Sequence, residues 1–175
     1  MNYAIFKLRK KKKHIDCFVR ILLHSQTMND TNDSIIFLSG TVVAFSAHTV
    51  VDRSPATGQV YVFSNTVFNH GDGYHNATGV FTAPVSGVYV FTVQMCSVAA
   101  RYVYYAFVKT GGSKIVKGWM GDIDDTLCHV ASAITKLTKG EETWLQCSYG
   151  TSGVIYAGTG NVNMLSGSLL QEVHE

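Results

Sequence analysis

Apolar and polar residues alternate along much of the chain after residue 40, which predicts short strands joined by tight turns. The clearest strand is Val88–Val98, and one of its faces carries four large side chains, Tyr89, Phe91, Val93 and Met95. Its other face is also apolar, with Val88, Val90 and Val98. A sandwich strand needs only one apolar face, so this pattern suggests that a neighbouring subunit covers the other face. Tyr102–Thr110 has the same pattern and suggests the same burial.

Shorter alternating stretches predict further strands, at Thr41–His48, Gln59–Asn69, Glu142–Gly150 and Asn161–Val173. Pro84 cannot donate a hydrogen bond to a sheet, so the short strand that contains Phe81 should end there. Gly111-Gly112 is a strong hairpin-turn signal. The pattern of Leu127–Leu137 is ambiguous, because four of its apolar residues also fit one face of a helix: Leu127, Val130, Ala131 and Ile134.

The first 24 residues differ from the rest of the chain. A basic run from Lys7 to Lys13 precedes apolar residues at helical spacing, namely Ile15, Phe18, Val19, Leu22 and Leu23. Three interpretations remain open: a degenerate signal peptide, a basic amphipathic segment that touches lipid, or a wrongly assigned start with simple disorder. No run reaches the roughly 18 apolar residues of a spanning helix. Residues 25–34 are polar, so we predict an extension and linker over 1–38 and one domain over 39–175.

The net charge of +2 hides an asymmetry along the chain. Residues 1–40 contain seven Lys or Arg against three Asp, a net charge of +4. Residues 41–175 contain seven Lys or Arg against nine Asp or Glu, a net charge of −2. Domains that bind nucleic acid present a basic surface, so this balance argues against nucleic acid as a partner of the domain.

The four cysteines, Cys17, Cys96, Cys128 and Cys147, show neither a C-x-x-C pair nor the spacing of a zinc site. Four cysteines allow three pairings, and their spacing cannot choose among them. We expect mostly free, buried thiols. Cys147 alternates with Leu145 and should face the core, whereas Cys96 should face away from it.

Several motifs between Thr41 and Leu170 resemble the C1q-type globular head domain and occur in that family's order. The main motif comprises Asn69, Gly73, Thr78-Gly79, Phe81, Ala83-Pro84, Gly87, Tyr89 and Phe91. Three other segments resemble the family's first strand, a later turn with its strand, and the closing strand: Val43–Ala47, Lys139–Leu145 and Leu165–Leu170. The sequence departs from the family pattern at Asn76, Leu165 and Ser168, and these 175 residues contain no collagen repeat.

The resemblance implies an all-β, antiparallel jelly-roll sandwich of about ten strands, like the tumour-necrosis-factor fold, in which Leu127–Leu137 is a strand. It also implies a secreted homotrimer that binds carbohydrate or microbial-surface ligands, similar to the collagen-less C1q-domain lectins of invertebrate innate immunity. The alternatives are an extracellular adaptor of the cerebellin type and a self-assembling matrix protein. The sequence contains no catalytic motif, so we expect a binding protein and not an enzyme.

The resemblance further implies a cation site, because family members often carry calcium near the apex of the head. Asp122, Asp124 and Asp125 follow Gly121 in a predicted loop that matches this region. Clustered carboxylates suit a hard cation such as calcium. We therefore predict that these three residues bind calcium, and a solvated acidic turn is the alternative.

Two further features concern the surface of the domain. Five aromatic residues offer rings on which sugars stack, although core or interface packing is the commoner role of such residues: Tyr102, Tyr104, Tyr105, Trp119 and Tyr156. Three N-x-S/T sequons predict glycosylation of a secreted chain, at Asn29, Asn32 and Asn76. The sequence identifies no ligand-binding residues beyond these candidates.

Overall fold

The computed structural model describes residues 41–150, 154–157 and 163–174, which form two antiparallel five-stranded sheets. The first sheet has the strand order β2 (Phe63–His70), β1 (Ala44–Val50), β10 (Met164–Glu172), β5 (Gly87–Ser97) and β8 (Leu127–Leu137). The second sheet has the order β3 (Tyr74–His75), β4 (Val80–Thr82), β9 (Glu142–Cys147), β6 (Arg101–Lys109) and β7 (Ser113–Asp122). A short 3-10 turn, Thr110–Gly112, joins β6 to β7. This architecture confirms the predicted all-β sandwich.

The core lies between the two sheets and is rich in aromatic rings. Phe45 stacks on Tyr74 with ring centroids 4.5 Å apart, and Phe81 meets Phe91 edge to face at 5.2 Å. Gly167 of β10 permits this packing, because a Cβ there would lie 2.5 Å from the Phe45 ring and 2.6 Å from the Phe91 ring. The interior is close-packed, so a larger residue at this position would displace both rings.

The glycine-rich stretch before β4 closes around Tyr74, which is almost fully buried. The Tyr74 hydroxyl donates to the carbonyl of Phe63 at 3.1 Å and accepts from its N–H at 3.2 Å. The Asn69 side chain accepts from the Tyr74 N–H at 3.2 Å and donates to the Tyr74 carbonyl at 3.0 Å. Gly73 fits here because a Cβ would lie 2.5 Å from the Phe81 ring. The motif residues Asn69, Gly73 and Phe81 therefore serve the fold.

Most of the predicted elements are confirmed. Leu127–Leu137, whose periodicity also suits a helix, is β8 and pairs with β5 along its whole length. The strand before Pro84 ends at Thr82, and both Gly111 and Gly112 adopt positive φ in the hairpin turn. The alternation does not delimit β7, because two lysines and two glycines interrupt it; pairing with β6 defines this strand.

The prediction of free thiols is wrong for two of the cysteines. Cys96 of β5 lies opposite Cys128 of β8, and the two form a disulfide. The register of β5 against β8 brings them together, and sequence spacing does not reveal that register. Cys96 lies outside the core cluster, as predicted, and is nevertheless buried. Cys147 is a free thiol buried in the core, which confirms its predicted placement.

Residues 1–40 lie outside the described part of the chain. The predicted extension, Cys17 and the sequons at Asn29 and Asn32 fall there, so the predicted boundary near residue 39 stays a prediction. Among the residues that the structure describes, none forms a helix with the length and apolar character needed to cross a membrane.

Candidate functional site

The outer face of the first sheet carries aliphatic side chains, which are half-buried on β5 and exposed on β8. Alternate residues of β5 face the core, so Val88 and Val90 lie on the outer face. Val90 lies opposite Ile134, and Val130 lies opposite Gln94. Val130 and Ile134 are each 62% exposed. We call Val88, Val90, Val130 and Ile134 the aliphatic face.

Short polar side chains lie between the residues of the aliphatic face. Thr92 Oγ1 and Ser132 Oγ are 2.9 Å apart and hydrogen-bonded, and Ser166 Oγ donates to the Thr92 carbonyl at 3.5 Å. These groups bond within the sheet, so another surface could cover them without leaving them unpaired. A surface of short, internally bonded side chains suits contact with a second protein surface.

The sequence predicts a trimer contact on the outer faces of both Val88–Val98 and Tyr102–Thr110, and the structure gives another reason for the apolar outer face of the second stretch. The first stretch is β5 of the first sheet, and the second is β6 of the second sheet, so their outer faces point in opposite directions. The outward Ala106 of β6 is fully buried within the single chain, and so is nearly all of Val108. Neighbouring parts of the same chain therefore account for the two-sided apolar pattern of β6.

The outer face of the second sheet carries four aromatic side chains in contact, Trp119, Tyr102, Tyr104 and Tyr149, which we call the aromatic ladder. The ring of Tyr102 meets that of Trp119 edge-on, with centroids 5.1 Å apart and an interplanar angle of 86°. Tyr104 meets Tyr149 at 5.3 Å and 71°. The Tyr102 and Tyr104 centroids are 6.5 Å apart, which joins the two pairs. Trp119 and Tyr149 are 62% and 61% exposed.

The sequence singles out three of these four residues, and the structure separates the two other aromatic candidates from them. Tyr105 lies in the core, edge-on to Phe107 at 6.4 Å, which confirms core packing for this residue. Tyr156 lies beside β5, where its N–H donates to the Cys96 carbonyl at 2.9 Å. Tyr149 escapes sequence analysis, because only the pairing of β9 with β6 brings the residues after β9 close to Tyr104.

The three candidate calcium ligands lie at the turn between β7 and β8. Asp122 Oδ1 accepts hydrogen bonds from the backbone N–H groups of Asp124 at 2.8 Å and Asp125 at 3.3 Å. These bonds favour the charged carboxylate and lower the pKa of Asp122. Asp124 and Asp125 are exposed. Asp122 therefore caps its own turn.

The turn does not present a ready set of metal ligands. Within residues 41–150, 154–157 and 163–174, no three His, Cys, Asp or Glu side chains are grouped so that they could hold a metal ion. One oxygen of Asp122 is already used by two backbone donors. The residues as arranged fit a capped acidic turn better than a calcium site, and calcium binding stays a prediction.

Asn76 lies on the surface between β3 and β4. Its side-chain amide donates to the Ser64 carbonyl at 3.1 Å, and both Asn76 and Thr78 of the sequon are exposed. An exposed turn is the usual setting of a modified sequon. Glycosylation at Asn76 stays a prediction.

Comparison with solved structures identifies the fold. The globular domain of zebrafish complement 1qA matches with a TM-score of 0.57 at 20% identity, covering 75% of this chain and 99% of that one. The Eiger tumour necrosis factor of S. frugiperda matches with a TM-score of 0.58 at 12% identity, covering 78% and 97%. Structural matches at such low sequence identity establish the fold and nothing further. They confirm the predicted jelly roll.

Comparison of sequences identifies the family. The C1q domain model matches residues 44–170. A rat complement C1q subcomponent is 30% identical over 129 residues, which cover 73% of this chain and 51% of the relative. Human complement C1q tumor necrosis factor-related protein 3 is 33% identical over 93 residues, covering 51% and 37%. The chain thus spans about half of these relatives' length or less. Family members are non-enzymatic ligand-binding proteins, and the chain belongs to the C1q domain family.

Proposed function

We propose that this chain is a secreted recognition protein of innate immunity that binds carbohydrate or other microbial-surface ligands as a homotrimer. Membership of the C1q domain family supports a role in binding. The observation that carries the trimer is the aliphatic face, on which Val130 and Ile134 are exposed in a single chain. Exposed apolar patches of this kind commonly mark protein contacts, and closed cyclic assemblies are the usual way in which identical chains cover them.

The aliphatic face supports assembly for an energetic reason. Complete burial of a Val or Ile side chain is worth roughly 1.5–3 kcal/mol. Val130 and Ile134 are more than half exposed in the single chain, so most of this gain is available only on association. The neighbouring Thr92 and Ser132 already bond to each other and would add little desolvation cost.

Two features support secretion. Cys96 and Cys128 form a disulfide between neighbouring strands, and disulfides form and persist mainly in oxidising compartments. The sequon at Asn76 lies on an exposed turn, where a glycan would meet no buried surface.

A trimer suits recognition of a microbial surface. Such a surface repeats the same epitope, so three weak sites on one particle act together after the first one binds. Avidity of this kind requires no strong single site, and a shallow protein surface is then sufficient for function.

Light scattering and a glycan array test the proposal together. Wild-type protein at micromolar concentration is expected to have three times the mass of the chain and to bind glycans of the array. A Val130→Lys, Ile134→Lys variant should be monomeric, because a buried unpaired charge costs several kcal/mol. Val51→Lys is the matched control: Val51 is similarly exposed but lies after the end of β1, two strands from β5.

The two measurements contradict different parts of the proposal. A wild type that is monomeric at every concentration removes the trimer. A wild type that binds no glycan, with or without calcium in the buffer, removes carbohydrate recognition. Expression of the chain in its own cells tests secretion, and a cytosolic product unglycosylated at Asn76 would remove it.

A further inference from the structure

We infer that the aromatic ladder is the ligand site of this domain and that it takes pyranose rings of a glycan. The inference rests on the proposed function and names the surface that performs it. The ladder lies on the outer face of the second sheet, whereas the aliphatic face lies on the outer face of the first. The two surfaces therefore lie on opposite sides of the sandwich, and a trimer in which the aliphatic faces meet around the threefold axis leaves the ladder open to ligands.

The first argument is the geometry of the rings. Tyr102 stands at 86° to Trp119, and Tyr104 stands at 71° to Tyr149. Each pair forms a corner in which one ring offers its face and the other its edge. A pyranose ring has an apolar face of C–H groups, which the negative face of an aromatic ring attracts. Two adjoining corners suit two neighbouring sugars of one chain.

The second argument is that the backbone makes room for the ladder. Gly121 of β7 lies opposite Tyr102, and a Cβ there would lie 2.8 Å from Cδ1 of Tyr102 and 2.3 Å from the carbonyl of Arg101. Gly121 also has a φ of 155°, within the region that favours glycine. The Tyr102 ring therefore occupies the space that a side chain at position 121 would fill. The same ring contacts Trp119, which lies on β7 with Gly121.

The third argument is the polar surroundings of the rings. Ala106 follows Tyr104 on the outer face of β6, with Lys117 opposite it on β7 and Gln146 opposite it on β9. Gln146 Oε1 accepts from Trp144 Nε1 at 3.1 Å, which orients its amide. An amide, an ammonium group and tyrosine hydroxyls can bond to sugar hydroxyls, whereas a purely aliphatic surface cannot.

The contrast between the two faces selects the occupant. A second copy of this chain suits the aliphatic face, where short side chains bond within the sheet. The ladder instead combines rigid rings with hydrogen-bonding groups, and Trp and Tyr supply contact area at a low cost in conformational entropy. This combination matches a ligand with one apolar face and a rim of hydroxyl groups.

The test uses the two tryptophans of the chain, Trp119 and Trp144. In a Trp144→Phe variant, Trp119 is the sole tryptophan, and calorimetry of this variant beside the wild type measures how far loss of the Trp144–Gln146 bond changes probe binding. The probes are cellohexaose, laminarihexaose, mannohexaose and chitohexaose. We expect at least one probe to shift the emission of Trp119 and to protect it from iodide quenching, as a sugar that covers an exposed indole would do.

Substitutions then assign the site. Trp119→Ala and Tyr149→Ala should each weaken binding of the same probe about tenfold or more, because each variant removes one of the rings on which the sugars stack. Trp119→Tyr keeps a ring and should retain part of the affinity. Tyr156→Ala is the matched control, because Tyr156 is also exposed but lies beside β5. Titration calorimetry measures all four variants, and circular dichroism checks that each is folded.

The outcomes separate the site from the function. If the wild type binds none of the probes and no glycan of an array, the proposed function fails. If the wild type binds a probe but folded Trp119→Ala and Tyr149→Ala bind it equally well, glycan recognition stands and the ladder is not its site. If Trp119→Ala changes the mass of the assembly while probe binding is unchanged, the ladder is a contact between copies and the inference is overturned.

Discussion

Tyr74 shows how a single residue of the glycine-rich stretch stabilises the domain. Its ring stacks on Phe45, and its hydroxyl bonds to both backbone groups of Phe63. Both contacts join β3 of the second sheet to the first sheet. The residue is only 4% exposed, so no water replaces these bonds when the hydroxyl is removed.

We expect Tyr74→Phe to lower the free energy of unfolding by about 1–3 kcal/mol, because the backbone N–H of Phe63 loses its bond to the hydroxyl in a buried place. Urea denaturation measures the loss. Tyr156→Phe is the control and should stay within about 0.5 kcal/mol of the wild type, as exposed substitutions usually do. Equal stability of Tyr74→Phe and wild type would contradict the prediction.

Tyr74 also predicts how stability depends on alkaline pH. Burial raises its pKa to about 12 from the ordinary 10.0, and the hydrogen bond that the Tyr74 oxygen accepts from the Phe63 N–H offsets part of this effect. The tyrosine of the unfolded chain ionises first as the pH rises. The contribution of neutral Tyr74 is therefore complete below pH 10 and is lost by about pH 12, on the order of 2 kcal/mol. Burial raises the pKa of Tyr61 as well, so its contribution to stability also falls as the pH rises.

Urea midpoints over this pH range test the effect. The wild type should lose stability more steeply than Tyr74→Phe between pH 10 and about pH 12, and the two slopes should agree below pH 9. The comparison of variants cancels the titration of lysines, which both proteins share. Parallel slopes throughout would show that Tyr74 does not carry the effect.

At the scale of elements, the disulfide ties β8 to β5 at one end of their ladder. Cys96 and Cys128 are separated by 32 residues in the chain, which include all of β6 and β7. The link therefore constrains the whole β6–β7 hairpin in the unfolded state. In the chain-entropy model, closing a loop of this length is worth about 3–4 kcal/mol.

Removal of the disulfide should lower stability by about that amount. A Cys96→Ala, Cys128→Ala variant and reduced wild type are expected to show similar losses in urea denaturation, of about 3–4 kcal/mol. Cys147→Ala under the same conditions separates the effect of the disulfide from that of a buried thiol in the core. Wild type that is equally stable with and without reductant would contradict the prediction.

The turn between β7 and β8 has two competing interpretations: it binds calcium, or Asp122 only caps it. The sequence predicts that calcium at millimolar concentration releases or absorbs heat on titration and that Asp122→Asn, Asp124→Asn abolishes the signal. Capping by Asp122 alone instead predicts no calcium heat. It also predicts a stability loss in acid, since a lowered carboxylate pKa contributes above about pH 4 and is lost as the pH falls through the folded value. Absence of heat in the wild type refutes the calcium site.

At the scale of the whole molecule, the two outer faces of the sandwich divide the work that we propose for them. In this proposal, the aliphatic face assembles the protein and the aromatic ladder contacts the glycan. The core packed between the two sheets holds the faces on opposite sides of the sandwich. We therefore expect substitutions on one face to change assembly without changing recognition, and substitutions on the other to do the reverse.

This division predicts an avidity effect. The monomeric Val130→Lys, Ile134→Lys variant should bind a single hexasaccharide as well as the wild type does. Its binding to glycan-coated beads should be weaker by about 10² to 10⁴, because the trimer alone engages several sites on one particle. Surface plasmon resonance on sparse and dense glycan surfaces measures both quantities. Equal binding to dense surfaces by both proteins would contradict the prediction.

The sequence by itself determined most of the elements. Alternation is a local property, and it predicts β5, β6 and β9 because each places large apolar residues on one face. Turn residues act locally too, which is why Pro84 and Gly111-Gly112 mark their boundaries correctly. The resemblance to the family resolved the ambiguous pattern of Leu127–Leu137. It implied a jelly roll in which this segment is a strand and not a helix.

Only the tertiary structure decided which faces meet. β5 and β6 follow each other in the chain, yet they belong to different sheets, and no local pattern records that separation. The register of β5 with β8 paired Cys96 with Cys128, and the pairing of β9 with β6 added Tyr149 to the ladder. Contacts between distant segments depend on how whole sheets pack. The alternation within one strand is compatible with several neighbouring strands, so it does not select which of them pairs with it.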